Sequence, residues 1–268
     1  MRENKEIRKL AKQMLLSRNN LQRLAFGVCI CLMAIMLPII AFSVISGFSV
    51  LPEISEYLSS ILFSAACLTL GALLVFVTVP IISGFFESAY KIYEGKREFY
   101  FADIFAPFKS SKKYFSAIHA GVLFILRGTA LFAASVIAFY ALQTASGFVF
   151  AIFGLPDILN SVFEIFSTAF CVILFIVLAC VTSGGFFTPY FICKGFSVNK
   201  ARELSHSAVN GKKPMICRYI FGFSGIFVLS LLTVGTLFVI YTIPLMIFAY
   251  FIYADQITEN TLLFYDER

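Results

Sequence analysis

Long apolar stretches separated by short polar segments constrain the fold of this chain more than any other feature. A helix needs about 20 apolar residues to cross the hydrocarbon core of a bilayer, and several stretches reach that length. Because lipid offers no hydrogen bonds, the backbone of such a stretch must satisfy its own polar groups, which a helix does. Charged residues make up only 13% of the chain, about half of their share in a soluble domain. The pattern predicts an all-α, multi-span membrane protein.

Six spans arranged as three hairpins are predicted within a single membrane domain, 24–255. The predicted spans lie at about 24–48, 59–82, 115–142, 162–181, 215–233 and 238–255. The last two share one apolar stretch that is about twice as long as a bilayer requires, and a turn near Thr233 divides it. An acidic tail at 256–268 follows, which we expect to fray.

Basic residues are concentrated in three segments. Of the 21 Lys and Arg residues, seven lie in 1–23, six in 91–113 and six in 194–218. The connections between the other span ends, at 49–58, 143–161 and 234–237, contain none. The positive-inside rule therefore places the three basic segments and both termini in the cytoplasm. Because topology explains the net charge of +6, we predict no nucleic-acid binding.

The basic segments also have an amphipathic pattern. In residues 1–23 the apolar side chains fall on one helical face and most of the basic ones lie off it. The pattern predicts a helix that lies on the membrane surface, where its charges would attract anionic lipids. A second amphipathic helix is predicted around 198–208, ended by Asn210-Gly211. The expected partner is thus the lipid bilayer, at the plasma membrane.

Arg127 is a charged residue near the middle of the third predicted span. A charge at the bilayer midplane is costly and must have a partner or water. Ala130, Ala134 and Ala138 share its helical face, and small residues spaced by four indicate close packing of another helix. We therefore predict that this helix is central and that Arg127 points into the bundle.

Two roles for Arg127 remain open at this stage. It could form an ion pair that holds the bundle together, with Glu87 of the second span or Glu164 of the fourth as partner. It could instead bind an anion: a carboxylate, a phosphate or a lipid headgroup. His119, two helical turns earlier on the same face, could join Arg127 in a proton relay. The candidate binding residues are therefore Arg127, Glu164, Glu87 and His119.

Motifs for catalysis or metal binding were sought, and the sequence contains no Walker A loop, H-E-x-x-H or G-x-S-x-G. Cys29 and Cys31 form C-x-C with no histidine at ligand spacing, so we interpret the seven cysteines as packing residues. His206 lies on a basic amphipathic segment and is interpreted as solvated. We predict no catalytic residue, no metal site and no cofactor.

A weak internal repeat links the second and fourth spans. Ser83-Gly84-Phe85-Phe86 and Gly184-Gly185-Phe186-Phe187 each close a span, and each precedes a basic segment. Internal repeats are common in transporters, whose binding sites lie where the repeats meet.

The second half of the chain carries several loosely spaced features: Thr188-Pro189-Tyr190, Ala201 and Ser205 followed by Gly211-Lys212, Thr233 and Gly235, Pro244, and Tyr250 and Tyr253. On these features residues 183–253 resemble an uncharacterised bacterial family of six-span integral membrane proteins, the domain of unknown function 975. More distantly, the chain resembles the membrane domain attached to some bacterial glycerophosphodiester phosphodiesterases. The resemblance implies a six-span fold and a membrane location, and it implies no activity.

These observations favour a non-enzymatic membrane protein that binds lipid or a membrane partner, or that lets a small or lipidic solute pass. A secondary transporter with an anion site at Arg127 is the alternative, although acidic ion-coupling residues are nearly absent from the spans. A membrane-embedded enzyme would need a polar cluster at one depth, for which only Arg127, Glu164 and His119 are available.

Overall fold

The protein is built from helices joined by short turns. The computed structural model describes residues 4–17, 20–49, 55–95, 100–153, 157–181, 183–223, 226, 233 and 235–266, and no strand occurs among them. The described helices of six or more residues are α1 (Asn4–Leu16), α2 (Asn20–Ser49), α3 (Glu56–Tyr93), α4 (Ser111–Phe153), α5 (Asp157–Val181), α6 (Thr188–Cys193), α7 (Val198–Val209), α8 (Lys213–Phe221) and α9 (Ile243–Asp266). A four-residue helix, Phe101–Ile104, lies between α3 and α4. Single turns of π-helix lie within α3 at Leu74–Thr78 and directly before α9 at Phe238–Thr242.

Four helices in the described residues are long and apolar enough to cross a membrane: Asn20–Phe48, Glu56–Tyr93, Ser111–Phe148 and Phe238–Thr258. A fifth crossing results if Val162–Leu178 and Ser183–Cys193, which meet at a bend of 50°, form one broken span. These helices correspond to the first four and the last of the predicted spans. The predicted fifth span, 215–233, begins in α8, but 224–225 and 227–232 lie outside the described residues.

The last helix, α9, forms the centre of the bundle. In an apolar 18-residue stretch of Phe238–Thr258, 56% of the residues are buried within the protein. In the equivalent stretch of Ser111–Phe148, which belongs to α4, only 6% are buried. Phe248 and Phe251 of α9 are completely buried, while Ala130 and Ala134 of α4 are exposed. The prediction that the Arg127 helix is central is therefore wrong. Lipid-facing and protein-facing positions of a membrane helix are equally apolar, so small-residue spacing alone did not identify the packed face.

Helix α9 also continues beyond its predicted end at 255. Ile257 and Thr258 are buried, and the helix runs to Asp266. The predicted acidic tail is therefore helical rather than frayed over this part, because its first residues extend the packed face of α9.

Helix α4 packs against α3 near its start and against α5 farther along. Near its start, Gly121 approaches α3 so closely that a Cβ there would come within 2.2 Å of the Val79 side chain. Farther along, the side-chain amide of Gln143 donates a hydrogen bond of 2.9 Å to Ser167 Oγ of α5. With 43 residues, α4 is about 64 Å long, roughly twice the hydrocarbon thickness of a bilayer. It therefore cannot lie wholly within the hydrocarbon core.

The amphipathic helix α1 forms, but its apolar face packs against protein. Ile7, Ala11 and Leu15 are at most 1% exposed and belong to the same core as α9. Arg8 fixes the helix further by donating a hydrogen bond of 2.8 Å to the carbonyl oxygen of Gly222. The apolar face that we expected on the membrane surface is thus largely covered by the bundle, while Lys5, Lys9 and Lys12 remain exposed.

The two Gly-Phe-Phe segments occupy similar surroundings in the fold. Phe86 packs edge-on against Tyr250 with ring centroids 6.1 Å apart, and Phe187, its counterpart in the second segment, lies at the same distance from Tyr250 with the ring planes inclined by 30°. A glycine in the left-handed region follows each segment, Gly95 with φ 70° and Gly195 with φ 95°. The two segments therefore share a packing partner, Tyr250 of α9.

Candidate anion-binding site

A single 3-10 turn, Ser183–Gly185, lies at the bend between α5 and α6. Two basic side chains lie against its glycines. A Cβ built on Gly185 would lie 2.9 Å from Nη1 of Arg127, and one built on Gly184 would lie 2.3 Å from the ring of His206. Because glycine has no side chain, Arg127 of α4 and His206 of α7 can both reach this turn.

Helix α7 is fixed to the turn by Ser205, which is completely buried. The Ser205 hydroxyl donates a hydrogen bond of 2.7 Å to the carbonyl oxygen of Gly184 and accepts one of 3.0 Å from the Phe187 N–H. Arg202 and His206 are four residues apart on α7, and both are exposed. They therefore share one face of the helix, which the Ser205 contacts hold beside the turn.

Arg127, Arg202 and His206, which we call the cationic cluster, act on one another electrostatically. The pKa of His206 is held below its ordinary value of 6.5, first by partial burial and then by the positive charges of Arg202, Arg127 and Lys213. Arg127 itself is half-buried. Across the part of the chain that the structure describes, no carboxylate lies within ion-pair distance of Arg127. The cluster thus holds positive charge that an anion would neutralise.

The same turn contains a buried hydroxyl without a partner. Ser183 is only 8% exposed, and its Oγ makes no hydrogen bond within the described residues. Leaving a buried polar group unpaired costs about 1–3 kcal/mol. A ligand oxygen at the turn would supply the missing partner, so Ser183 adds a neutral hydrogen-bonding group to the positive charges.

Of the four residues predicted for the site, only Arg127 belongs to the cluster. Glu87 instead pairs with Lys91 at 3.0 Å and with Lys113 at 2.7 Å. Glu164 and His119 are exposed on α5 and α4. The predicted ion pair between Arg127 and either carboxylate is therefore not found among the described residues, and the histidine beside Arg127 is His206 rather than His119.

Sequence reasoning missed Arg202, His206 and the glycine pair as parts of the site. Two signals were present: the spacing of Arg202 and His206 on one face of α7, and two adjacent glycines closing an apolar span. Neither signal points to Arg127, which is far away in the chain and reaches the turn only through tertiary packing.

A second polar cluster joins α3, α6 and α9, but its charges are already paired. Asp255 accepts hydrogen bonds from the hydroxyls of Tyr93 and Tyr190, and the ammonium group of Lys194 lies 3.4 Å from its carboxylate. The ammonium group also lies 4.7 Å from the centroid of the Tyr190 ring. This cluster ties three helices together, whereas the cationic cluster presents uncompensated charge.

No protein-family model, curated protein or solved structure matches this chain. The candidate site is therefore assigned from its geometry and charge alone.

Proposed function

We propose that this protein is a six-span, non-enzymatic protein of the plasma membrane that binds the anionic headgroup of a lipid at the cationic cluster. The observation that carries the proposal is that Arg127 ends at the Gly184-Gly185 turn beside Arg202 and His206 without a carboxylate partner in the described residues. Phosphate groups are recognised by arginine, whose planar guanidinium donates two parallel hydrogen bonds.

The surroundings of the cluster favour a lipid over a soluble anion. Phe124 and Leu126, close to Arg127 on α4, are 75% and 60% exposed, so apolar surface lies next to the charge. Helix α7 has a buried apolar face and charged residues on its exposed face, which is typical of a helix at the membrane interface. This neighbour favours an interfacial depth for the Arg127 guanidinium over the midplane predicted from sequence, and phosphates lie at that depth.

The proposed topology rests on charge distribution. The three basic segments alternate with connections that contain no Lys or Arg, and an even number of spans then leaves both termini in the cytoplasm. The resemblance of residues 183–253 to the uncharacterised six-span family supports the same arrangement. We retain that family as part of the proposal.

The test is native mass spectrometry of the detergent-purified protein, comparing the lipids that remain bound to the wild type and to variants. We expect the wild type to retain a discrete anionic lipid that Arg127→Ala loses. Gly185→Ala should weaken the binding, because the added Cβ shifts the Arg127 guanidinium away from the turn without removing any charge.

Two controls separate this site from general charge effects. Gly128→Ala adds a methyl group one residue from Arg127, where nothing lies within 4 Å, and it should retain the lipid. Lys112→Ala removes one exposed positive charge from the start of the same helix and should also retain it. If folded Arg127→Ala carries the same anionic lipid as the wild type, the proposal is wrong.

A secondary transporter remains the second candidate, favoured by the 50° bend at the cluster. Transporters build their sites from discontinuous helices at the junction of internal repeats, and this turn contains Gly184 and Gly185, the first two residues of one of the two similar segments. Uptake of an anionic solute into proteoliposomes, abolished by Arg127→Ala, would favour transport over static lipid binding.

A further inference from the structure

We infer that the cationic cluster selects a phosphomonoester headgroup, a terminal phosphate with close to two negative charges, over a phosphodiester. The inference rests on the proposed function, because it names the chemical class of ligand for the same site. It is carried by the number of positive groups at the turn and by the number of hydrogen bonds that they can donate.

The charge of the site matches a dianion better than a monoanion. Arg127 and Arg202 both lie close to His206, and their positive charges, together with that of Lys213, disfavour its protonation. A phosphodiester brings one negative charge and leaves the two guanidinium groups partly uncompensated. A phosphomonoester brings close to two, which balances both guanidinium groups and favours protonation of His206.

The donors at the turn also outnumber the acceptor oxygens of a diester. Each guanidinium can donate two parallel hydrogen bonds, and the His206 ring and the unpartnered Ser183 hydroxyl add further groups. A phosphomonoester presents three unsubstituted oxygens, whereas a diester presents two, flanked by two ester oxygens. Three oxygens can be shared among Arg127, Arg202 and His206, which approach from two different helices.

The glycine pair keeps these groups at the surface of the turn. His206 lies over Gly184 and Arg127 over Gly185, so the two groups contact neighbouring residues. The Ser205 hydroxyl anchors the α7 side of the site. Because Ser205 fixes α7 beside the turn and the glycines bring Arg127 and His206 together, the site is preorganised for a compact, highly charged group rather than for a diffuse one.

The ligand is assigned to the membrane because exposed apolar surface of α4 adjoins the charge. A free phosphate ion has the same headgroup chemistry, so the experiment must distinguish the two sources. The wild type is reconstituted in nanodiscs that contain either phosphatidic acid or phosphatidylglycerol with identical acyl chains, and bound lipid is counted by native mass spectrometry. Inorganic phosphate is then added as a soluble competitor.

We expect phosphatidic acid to bind about tenfold more tightly than phosphatidylglycerol, because one additional charge-assisted hydrogen bond accounts for at least that factor. Arg127→Ala and Arg202→Ala should each abolish the preference, and Lys112→Ala should keep it. Arg127→Lys retains the charge without the forked donor, so it should bind both lipids with a reduced preference. If Arg127→Ala does not fold, Arg127→Lys still tests whether the preference depends on the guanidinium group.

The outcomes separate this inference from the proposed function. Equal binding of the two lipids, lost from both in Arg127→Ala, would overturn the monoester selectivity and leave headgroup binding intact. Lipid binding that does not depend on Arg127 would overturn both. Displacement of phosphatidic acid by an equal concentration of inorganic phosphate would assign the site to a soluble anion instead of a lipid.

Discussion

At the scale of single residues, the site depends on the lack of a side chain at Gly184 and Gly185. Each glycine leaves space that a basic side chain fills, His206 in one case and Arg127 in the other. Because these groups lie close together, the positive charges of Arg127 and Arg202 disfavour protonation of His206. In a protein without bound anion, His206 is the group of the three that can respond by losing its proton.

The lowered pKa of His206 predicts that the empty protein loses stability in mild acid. The folded state binds the His206 proton less readily than the unfolded state does, so unfolding takes up a proton. The stability is fully present above the ordinary pKa of 6.5 and decreases as the pH falls from there through the lower folded value. We expect the unfolding temperature to fall between about pH 7.5 and about pH 5.5, and to fall less in His206→Gln.

His119→Gln is the control for this measurement, since His119 is exposed on α4 and is not part of the cluster. The unfolding temperature of His119→Gln should fall in acid by as much as that of the wild type. Thermal unfolding of lipid-depleted protein in detergent gives the three curves. If the wild type and His206→Gln lose the same stability in acid, the electrostatic coupling of His206 to the two arginines is refuted.

At the scale of elements, α7 and the broken span depend on one another. The amphipathic pattern of α7 specifies a helix with one buried face, and Asn210-Gly211 ends it as predicted, after Val209. Its position beside the turn, however, depends on Ser205, which bonds to Gly184 within the turn and to Phe187 just after it. The site therefore exists only while α7 remains attached to this turn.

Ser205→Ala is expected to lower the free energy of unfolding by about 1–3 kcal/mol. The substitution leaves the Gly184 carbonyl and the Phe187 N–H without their partner in a buried place. It should also weaken headgroup binding, because Arg202 and His206 move with α7. Chemical unfolding in detergent, together with lipid counting, measures both effects.

Ser207→Ala provides the matched control, because Ser207 is exposed on the same helix. It should change the free energy of unfolding by no more than about 0.5 kcal/mol. A Ser205→Ala variant as stable as Ser207→Ala would show that the two hydrogen bonds do not hold α7 in place.

At the scale of the whole molecule, the bundle is organised around α9 rather than α4. The aromatic residues of α9 contact α3 and the Phe186-Phe187 segment that follows the turn, and Asp255 is joined to α3 and α6 through the hydroxyls of Tyr93 and Tyr190. Helix α1 covers part of this helix with its apolar face. The outer helices, including α4, leave most of their apolar surface for lipid.

The proposed topology predicts which connections face the outside of the cell. Ser55→Cys, in the connection before α3, should react with a membrane-impermeant maleimide added to intact cells. Lys112→Cys, at the start of α4, should react only after the cells are permeabilised. The unmodified protein gives the background from its own cysteines, of which those in apolar spans react slowly because the membrane-impermeant reagent does not enter the bilayer. Labelling in the reverse order would overturn the inside placement of the basic segments.

The sequence by itself determined the class of the protein and most of its helices. A run of about 20 apolar residues has few alternatives to a helix, because the backbone in lipid must bond to itself. Among the described helices the predicted starts of the spans are therefore within about five residues of those observed, whereas the helices of the second and third spans run eleven residues past their predicted ends, to Tyr93 and Phe153. The sequence also predicted amphipathic helices at 1–23 and 198–208, because apolar and charged residues fall on opposite faces when placed on a helix.

Only the tertiary structure decided which helix is central, what covers α1 and which groups accompany Arg127. In a membrane protein, lipid and protein offer equally apolar surroundings, so hydrophobicity cannot show which face of a helix is packed. From the sequence, Glu87 was a candidate ion-pair partner for Arg127, but in the structure it pairs with Lys91 and Lys113. Arg202 and His206 lie near Arg127 because of tertiary contacts between residues far apart in the chain, and no local sequence pattern predicts such contacts.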